Sequence, residues 1–246
     1  MPRSLLISLC VGAAILVAFF IAMTSSDLKK PLYDKLRSLA QKVLRLDTKS
    51  DPNVLYYHEK VAAFEQDPRT DYTVVFIGDS LTDGGDWEQF FDADTIANRG
   101  INGDTAIGIL QRMKPIIRTG AQQAFIMVGV NDVRRSLSMD EIVANYRNIV
   151  SQLMAADIQV LIQSTVLTAK TDTPEINSRI NALNTQLIKL AKETPKVTFI
   201  DINTDLAPSG QLDKNYTYDG IHLNKTGYEV WQKQIAPFMK LEKDRF

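Results

Sequence analysis

Residues Phe76 to Gly85 read FIGDSLTDGG, and they turn from strand to loop in mid-stretch. The apolar run Thr73–Ile77 has the β-branched and aromatic residues of a buried strand. It stops at Gly78, and an acid, a serine and a turn dense in Asp and Gly follow. Two readings fit. Asp79 and Ser80 are both favoured at helix N-caps, so the pair can simply start a helix. Alternatively, Ser80 is a nucleophile held at the carboxyl end of the strand. The pattern of the remaining chain separates the two.

Working outward, short apolar runs recur at Ala124–Val128, Val160–Gln163 and Val197–Ile202, with a weaker one at Thr95–Asn98. Helical patterns at Ala106–Ile117, Met139–Ala155, Ile176–Lys192 and Gly227–Phe238 lie between or after them. Apolar strands that alternate with helices are buried on both faces and pair in parallel. The expected fold is α/β: a three-layer α/β/α sandwich of doubly wound type, around a five-stranded parallel sheet built from these five runs. Ligands of such sheets bind beyond the carboxyl ends of the strands, near the switch in strand order.

The chain of 246 residues carries 28 Lys+Arg against 29 Asp+Glu, a formal charge of −1, so no basic excess draws it to nucleic acid. Its single cysteine, Cys10, excludes an internal disulfide and any multi-cysteine metal site. Leu5–Met23 is free of charge and follows Arg3. At about 1.5 Å per residue it approaches the ~30 Å hydrocarbon core of a bilayer. The expectation is an N-terminal transmembrane anchor over residues 1–26, with a cleaved signal peptide as the alternative. The run is longer than a usual signal core, and Ala22-Met23-Thr24 is a poor cleavage site. Lys29, Lys30, Lys35 and Arg37 would hold the C-terminal side in the cytoplasm by the positive-inside rule. Large domains translocate despite such charges, so the expected side is extracytoplasmic. A helical spacer over 27–70 follows: Leu28, Leu32, Leu36, Leu39, Val43 and Leu46 line one helical face, and a second helix runs from Val54 to Glu65. The third segment, 71–246, is the α/β domain.

Four polar motifs fall at one edge of the expected sheet. The first strand ends in Gly78-Asp79-Ser80-Leu81, and the second runs into Asn98-Arg99-Gly100-Ile101-Asn102-Gly103-Asp104. The third ends in Gly129-Val130-Asn131-Asp132, and Asp219-Gly220-Ile221-His222-Leu223 precedes the last helix. Each alone is a common turn or cap. Together and in this order, GDSLTDGG, NRGINGDT, GVND and DGIHLN resemble the SGNH, or GDSL-type, hydrolase superfamily over about residues 72–237. The similarity is nearest to platelet-activating-factor acetylhydrolase-like and carbohydrate acetylesterase-like members.

The resemblance implies a flavodoxin-like hydrolase fold and a serine hydrolase that cleaves carboxylic esters, needing no metal and no other cofactor. Short acyl esters of a carbohydrate or lipid are the expected substrates. The alternatives are a lysophospholipase or thioesterase acting on longer chains, and a non-catalytic, membrane-tethered binding protein that kept the fold. The implied triad is Ser80, His222 and Asp219, and the implied oxyanion donors are the Ser80 amide, the Gly103 amide and the Asn131 side chain. The chemistry suits the residues. A serine hydroxyl needs a base, and the chain has two histidines. His58 lies upstream of the fold beside Glu59 and Lys60, where a surface role fits it. His222 follows Asp219 by three positions, so one loop can hold imidazole and carboxylate together. Gly103 lets substrate approach the backbone and Gly100 reads as a turn residue, while Asn131 could also cap a helix. Asp79, Asp83, Asp86, Asp104 and Asp132 could suggest a cation site. Without ligand spacing around them, Asp79, Asp104 and Asp132 read as hydrogen-bonding supports for the loops. Arg134 and Arg135 follow the Asn131 motif and could meet an anionic group or sit in solvent.

Overall fold

A computed structural model of the chain describes residues 52–169 and 174–241. The expected anchor over 1–26 and the amphipathic run Leu28–Leu46 lie outside the described residues. Among those described, no helix is long and apolar enough to cross a membrane. Contacts divide the chain into Met1–Tyr56 and Tyr57–Phe246. In the first unit the described residues are only the opening turn of helix α1 (Pro52–Gln66).

Five parallel strands form one sheet: β1 (Val74–Gly78), β2 (Ile96–Gly100), β3 (Gln123–Met127), β4 (Gln159–Gln163) and β5 (Val197–Ile200). Their order is β2-β1-β3-β4-β5. Chain direction along the sheet therefore reverses at β1, and β1 pairs with β2 on one side and β3 on the other, Phe76 opposite both Asn98 and Phe125. A crevice at the carboxyl ends of β1 and β3 is where a ligand belongs in this topology.

Alternate residues of β1 serve different cores, as the two-residue period of a strand requires. Val75 and Ile77 face an aliphatic layer with Ile109, Ile142, Tyr146 and Leu183. Val74 and Phe76 face an aromatic layer with Trp87, Phe125, Tyr228 and Trp231. In that second layer Phe76 stacks on Trp87 with ring centroids 4.1 Å apart, and Trp87 meets Trp231 edge-on at 4.9 Å. Both faces of the sheet are thus covered, which is why its strands read as unbroken apolar runs.

The helices start where the sequence offers caps. The helix Met139–Ala155 is expected residue for residue, and Ser138 with Glu141 forms a capping box at its start. The expected helix Ala106–Ile117 is instead two, Ala106–Gln111 and Met113–Ile117, broken at Arg112. Pro115 has no N–H to give the Gln111 carbonyl and its ring would clash there. The final helix is Lys225–Ile235, and the turn Ala236–Phe238 that continues it is 3₁₀, with Pro237 inside. From Tyr57 onward α1 is fastened to the sheet domain. The Tyr57 hydroxyl donates to the Gly108 carbonyl at 3.0 Å, and Arg118 caps the helix end by donating to the carbonyls of Phe64, Glu65 and Asp67.

Candidate active site

Ser80 is the first residue of the one-turn helix Ser80–Asp83, directly beyond β1. Asp79 caps that helix, its Oδ1 accepting from the Leu81 amide at 3.1 Å. Both opening readings therefore describe the same turn: the acid caps, and the serine is left half-exposed at the strand's end. The turn is braced from far away in sequence. The Asn98 amide group donates to the carbonyls of Thr82, Asp83 and Gly85, and the Tyr228 hydroxyl donates to that of Leu81 at 2.8 Å. Neither brace has a local signature, so neither was legible beforehand.

His222 arrives on a loop folded around Asp219. Asp219 Oδ1 accepts the amides of Ile221 and His222, at 2.9 and 2.8 Å. Gly220, at φ +85°, makes the reversal this requires. Thr217 closes the loop by bridging to Leu223 and donating its hydroxyl to the His222 carbonyl. The outcome is a chain of contacts: Asp219 Oδ2 to His222 Nδ1 at 2.7 Å, and His222 Nε2 to Ser80 Oγ at 3.1 Å. Burial by itself would raise the Asp219 carboxyl. The hydrogen bonds from the His222 ring and from the two amides outweigh it, and the group falls to about 2. His58 lies exposed on α1, edge-on to its neighbour Tyr57, away from these contacts.

The oxyanion candidates sit on neighbouring elements. Gly103 adopts φ +75°, a left-handed conformation that places it at the turn. Gly100 is not the turn residue the sequence reading made it. It ends β2, and a Cβ there would lie 2.2 Å from the Asp83 amide nitrogen, so its missing side chain allows the two loops to touch. Asn131 lies within the helix Val130–Arg134 rather than capping it, and its Nδ2 donates to the Asp104 carbonyl at 2.9 Å. That bond ties the loop after β3 to the loop after β2.

Beneath these loops lies an acidic floor. Asp104 accepts from Arg112 Nε and from the Thr105 amide, both at 2.8 Å, and Asp132 accepts from the Ala106 amide. Arg112 also donates to the Gly78 carbonyl at 3.2 Å. Burial raises all three carboxyls, Asp132 to about 6 and Asp79 to about 8, with the charges of Asp104 and Asp132 adding to the rise at Asp79. Asp79 Oδ2 is buried without a hydrogen-bond partner, and so is Arg112 Nη1. At neutral pH Asp79 is therefore held mostly as the neutral acid. The loop-supporting roles expected of these acids are geometric facts. The buried arginine that pairs with Asp104 stands at the junction of two short helices and carries no sequence signal. Among the described residues no group of three or more His, Cys, Asp or Glu side chains is arranged to hold a metal ion.

A parallel sheet that presents a serine, a histidine and an aspartate in hydrogen-bonded series at its carboxyl edge defines a class of hydrolase. The chain belongs to the GDSL-like Lipase/Acylhydrolase family, whose model matches residues 76–230. Among solved structures it is similar to a protein of Bacteroides fragilis NCTC 9343 named for acylhydrolase activity, at 26% identity and TM-score 0.65, over 77% of this chain and 97% of that one. It shares the fold of a protein of Streptococcus pneumonia named for platelet activating factor, at 21% identity and TM-score 0.69, over 82% of this chain and 98% of that one. Among curated proteins it is 31% identical to an N-acylneuraminate cytidylyltransferase of Escherichia coli O18:K1:H7, over 68% of this chain and 40% of that protein. The chain spans about two fifths of the length of the curated relatives it matches.

Proposed function

We propose that the protein removes short acyl groups, acetyl above all, from a carbohydrate ester through a covalent Ser80 intermediate. Ser80 Oγ attacks the ester carbonyl carbon while His222 Nε2 takes the hydroxyl proton. Asp219 keeps the Nδ1–H tautomer and offsets the charge of the imidazolium. The carbonyl oxygen becomes an oxyanion that accepts from the amides of Ser80 and Gly103 and from Asn131 Nδ2. His222 then gives its proton to the departing sugar oxygen as the carbon–oxygen bond breaks. Water, deprotonated by the same imidazole, attacks the acyl-serine and releases the carboxylic acid.

One observation carries this reading: His222 spans Ser80 and Asp219 with contacts of 3.1 and 2.7 Å across 142 residues of sequence separation. A carbohydrate is favoured by Tyr218, a 70% exposed aromatic whose ring stacks on that of His222 with centroids 5.8 Å apart. Such a ring gives a sugar a flat apolar face beside the reacting centre. The N-acylneuraminate in the name of the cytidylyltransferases, itself an acylated sugar acid, points the same way.

In the full chain, a fluorophosphonate is expected to label Ser80 and to stop hydrolysis of 4-nitrophenyl acetate, and Ser80→Ala to remove both. Label found on Ser136 or Ser164 overturns the assignment. We further propose that Leu5–Met23 anchors the enzyme, with its domain extracytoplasmic. The full chain should then stay with membranes through alkaline carbonate washing. A soluble mature chain beginning near Thr24 would show a cleaved signal instead.

A further inference from the structure

We propose that Arg135 selects ester substrates that carry a carboxylate, so that the sugar deacylated is a sugar acid rather than a neutral sugar. This rests on the reading of Gly103 as an oxyanion donor and Ser80 as the nucleophile. Arg135 follows the helix Val130–Arg134 as its C-cap, and its amide donates to the Asn131 carbonyl at 2.9 Å. Four positions apart on one helical face, Asn131 and Arg135 point their side chains the same way. Both reach the loop after β2: Asn131 donates to the Asp104 carbonyl, and Arg135 Nη2 donates to the Gly103 carbonyl at 2.8 Å.

That contact leaves the arginine beside the approach to the Gly103 amide. Chain neighbours aside, Arg135 Nη2 is the only atom among the described residues within 4 Å of where a Gly103 Cβ would sit, at 3.9 Å. The side of Gly103 where a side chain would sit is thus open except for the guanidinium, and a substrate lying against it meets that charge. The bond to Gly103 uses one N–H and leaves the rest of an exposed, planar fork, which suits a carboxylate.

The positive charge also enters no ion pair among the described residues, although it lowers Asp104 and Asp132 through space. Arg99 and Arg112 are buried and paired with Asp67 and Asp104. Arg135 is exposed, and no described carboxylate lies within ion-pair distance of it. The nearby acids in its field, Asp104 and Asp132, are buried and already bonded by Arg112, Thr105 and Ala106. Acyl transfer at Ser80 needs no cation there. A charge held at the rim is free to recognise one on the substrate.

The alternative role for Arg135 is a clamp on Gly103, which would affect every ester alike, so charge must be the variable. Binding is measured on full-length Ser80→Ala protein with glucuronate, galacturonate and N-acetylneuraminate, each against its methyl ester. We expect at least one acid to bind ten- to a hundredfold more tightly than its methyl ester, and Arg135→Gln to erase that preference. Arg135→Lys, which keeps the charge, should retain part of it. In the enzyme with Ser80 intact, acetate release from the O-acetylated forms should show the same collapse of preference in Arg135→Gln, through KM more than kcat. The proposal is overturned if no acid outbinds its methyl ester, if the preference survives Arg135→Gln, or if that variant loses equal activity on both forms. Charge-selective binding without any Ser80-dependent acetate release would leave the carboxylate site standing and sink the proposed hydrolase function instead.

Discussion

Asp79 and Asp219 flank the same serine, yet their surroundings drive them in opposite directions. Asp79 is entombed at the end of β1 among Asp104 and Asp132, and burial lifts it to about 8. Asp219 stands on a half-exposed loop and accepts from the His222 ring and two amides, which bring it to about 2. One acid is placed to support backbone and the other to face a histidine. The difference follows from what each loop surrounds. The loop after β1 packs between strands and a buried arginine, whereas the histidine loop is held mainly by bonds among its own residues, Thr217, Asp219 and Leu223. The nucleophile side of the site is therefore braced by long-range contacts and the histidine side mainly by local ones, with the Ala169 amide donating to the Gly220 carbonyl as its long-range tie.

The sharpest way to break this comparison is to remove the proton carrier. With the proposed triad acting as a unit, His222→Ala should approach the loss seen in Ser80→Ala, on the order of a million-fold in kcat. Asp219→Asn leaves a ring to take the proton but permits the wrong tautomer, and should cost on the order of ten-thousand-fold. Both are read as kcat on one acetyl ester. Near-normal turnover in His222→Ala, with collapse in His58→Ala, would reassign the base.

A smaller effect probes the nucleophile side. On the proposed mechanism Asn131→Ala removes one donor to the oxyanion and should lower kcat by roughly a hundred- to a thousand-fold with little change in KM. Asn131 also bonds the Asp104 carbonyl, so loop positioning must be separated from charge stabilisation. Asn131→Asp keeps the size but places an acceptor opposite that carbonyl. A loss in Asn131→Ala far below tenfold would leave Asn131 as a brace between loops.

The local side of the comparison was also the legible one. Apolar runs marked all five strands to within a residue or two at most ends, because strands covered on both faces need no polar alternation. Ser138 and Glu141 fixed the start of the long helix by local capping. Asp219 and His222 could be paired on paper because three residues separate them. The bracing of the nucleophile turn by Asn98 and Tyr228 could not, since those contacts span 13–16 and 147 positions. The short helix Trp87–Phe91 was missed for a similar reason: Trp87 is fixed by stacking on Phe76 and an edge-on contact with Trp231 rather than by any periodic pattern of its own. The buried partnership of Arg112 with Asp104 went unseen because an arginine in a helical pattern reads as solvent-facing, whereas Arg112 stands at the junction of two short helices and is buried.

The subtlest test asks whether the buried acid really holds its proton. The unfolded chain releases the Asp79 proton near its ordinary value of 3.8, whereas the folded protein keeps it up to about 8. Between those values the native state binds more protons, so stability falls as pH rises. The contribution is complete below pH 4 and is lost as pH climbs through 8. Asp132 acts with the same sign but only to about 6, and Asp219 acts in the opposite sense at the acid end, its contribution disappearing as pH falls through about 2. From pH 6.5 to 8, above the Asp132 value, the difference between wild type and Asp79→Asn reports Asp79. Asp79→Asn keeps an oxygen for the Leu81 amide and removes the titration. Urea unfolding across that interval should show wild-type stability declining by up to about 1.4 kcal/mol per pH unit more steeply than in Asp79→Asn. Because the slope is compared, any constant cost of fitting the amide drops out. Parallel slopes would mean that Asp79 is already ionised in the folded protein, and that the acidic floor is a charged one.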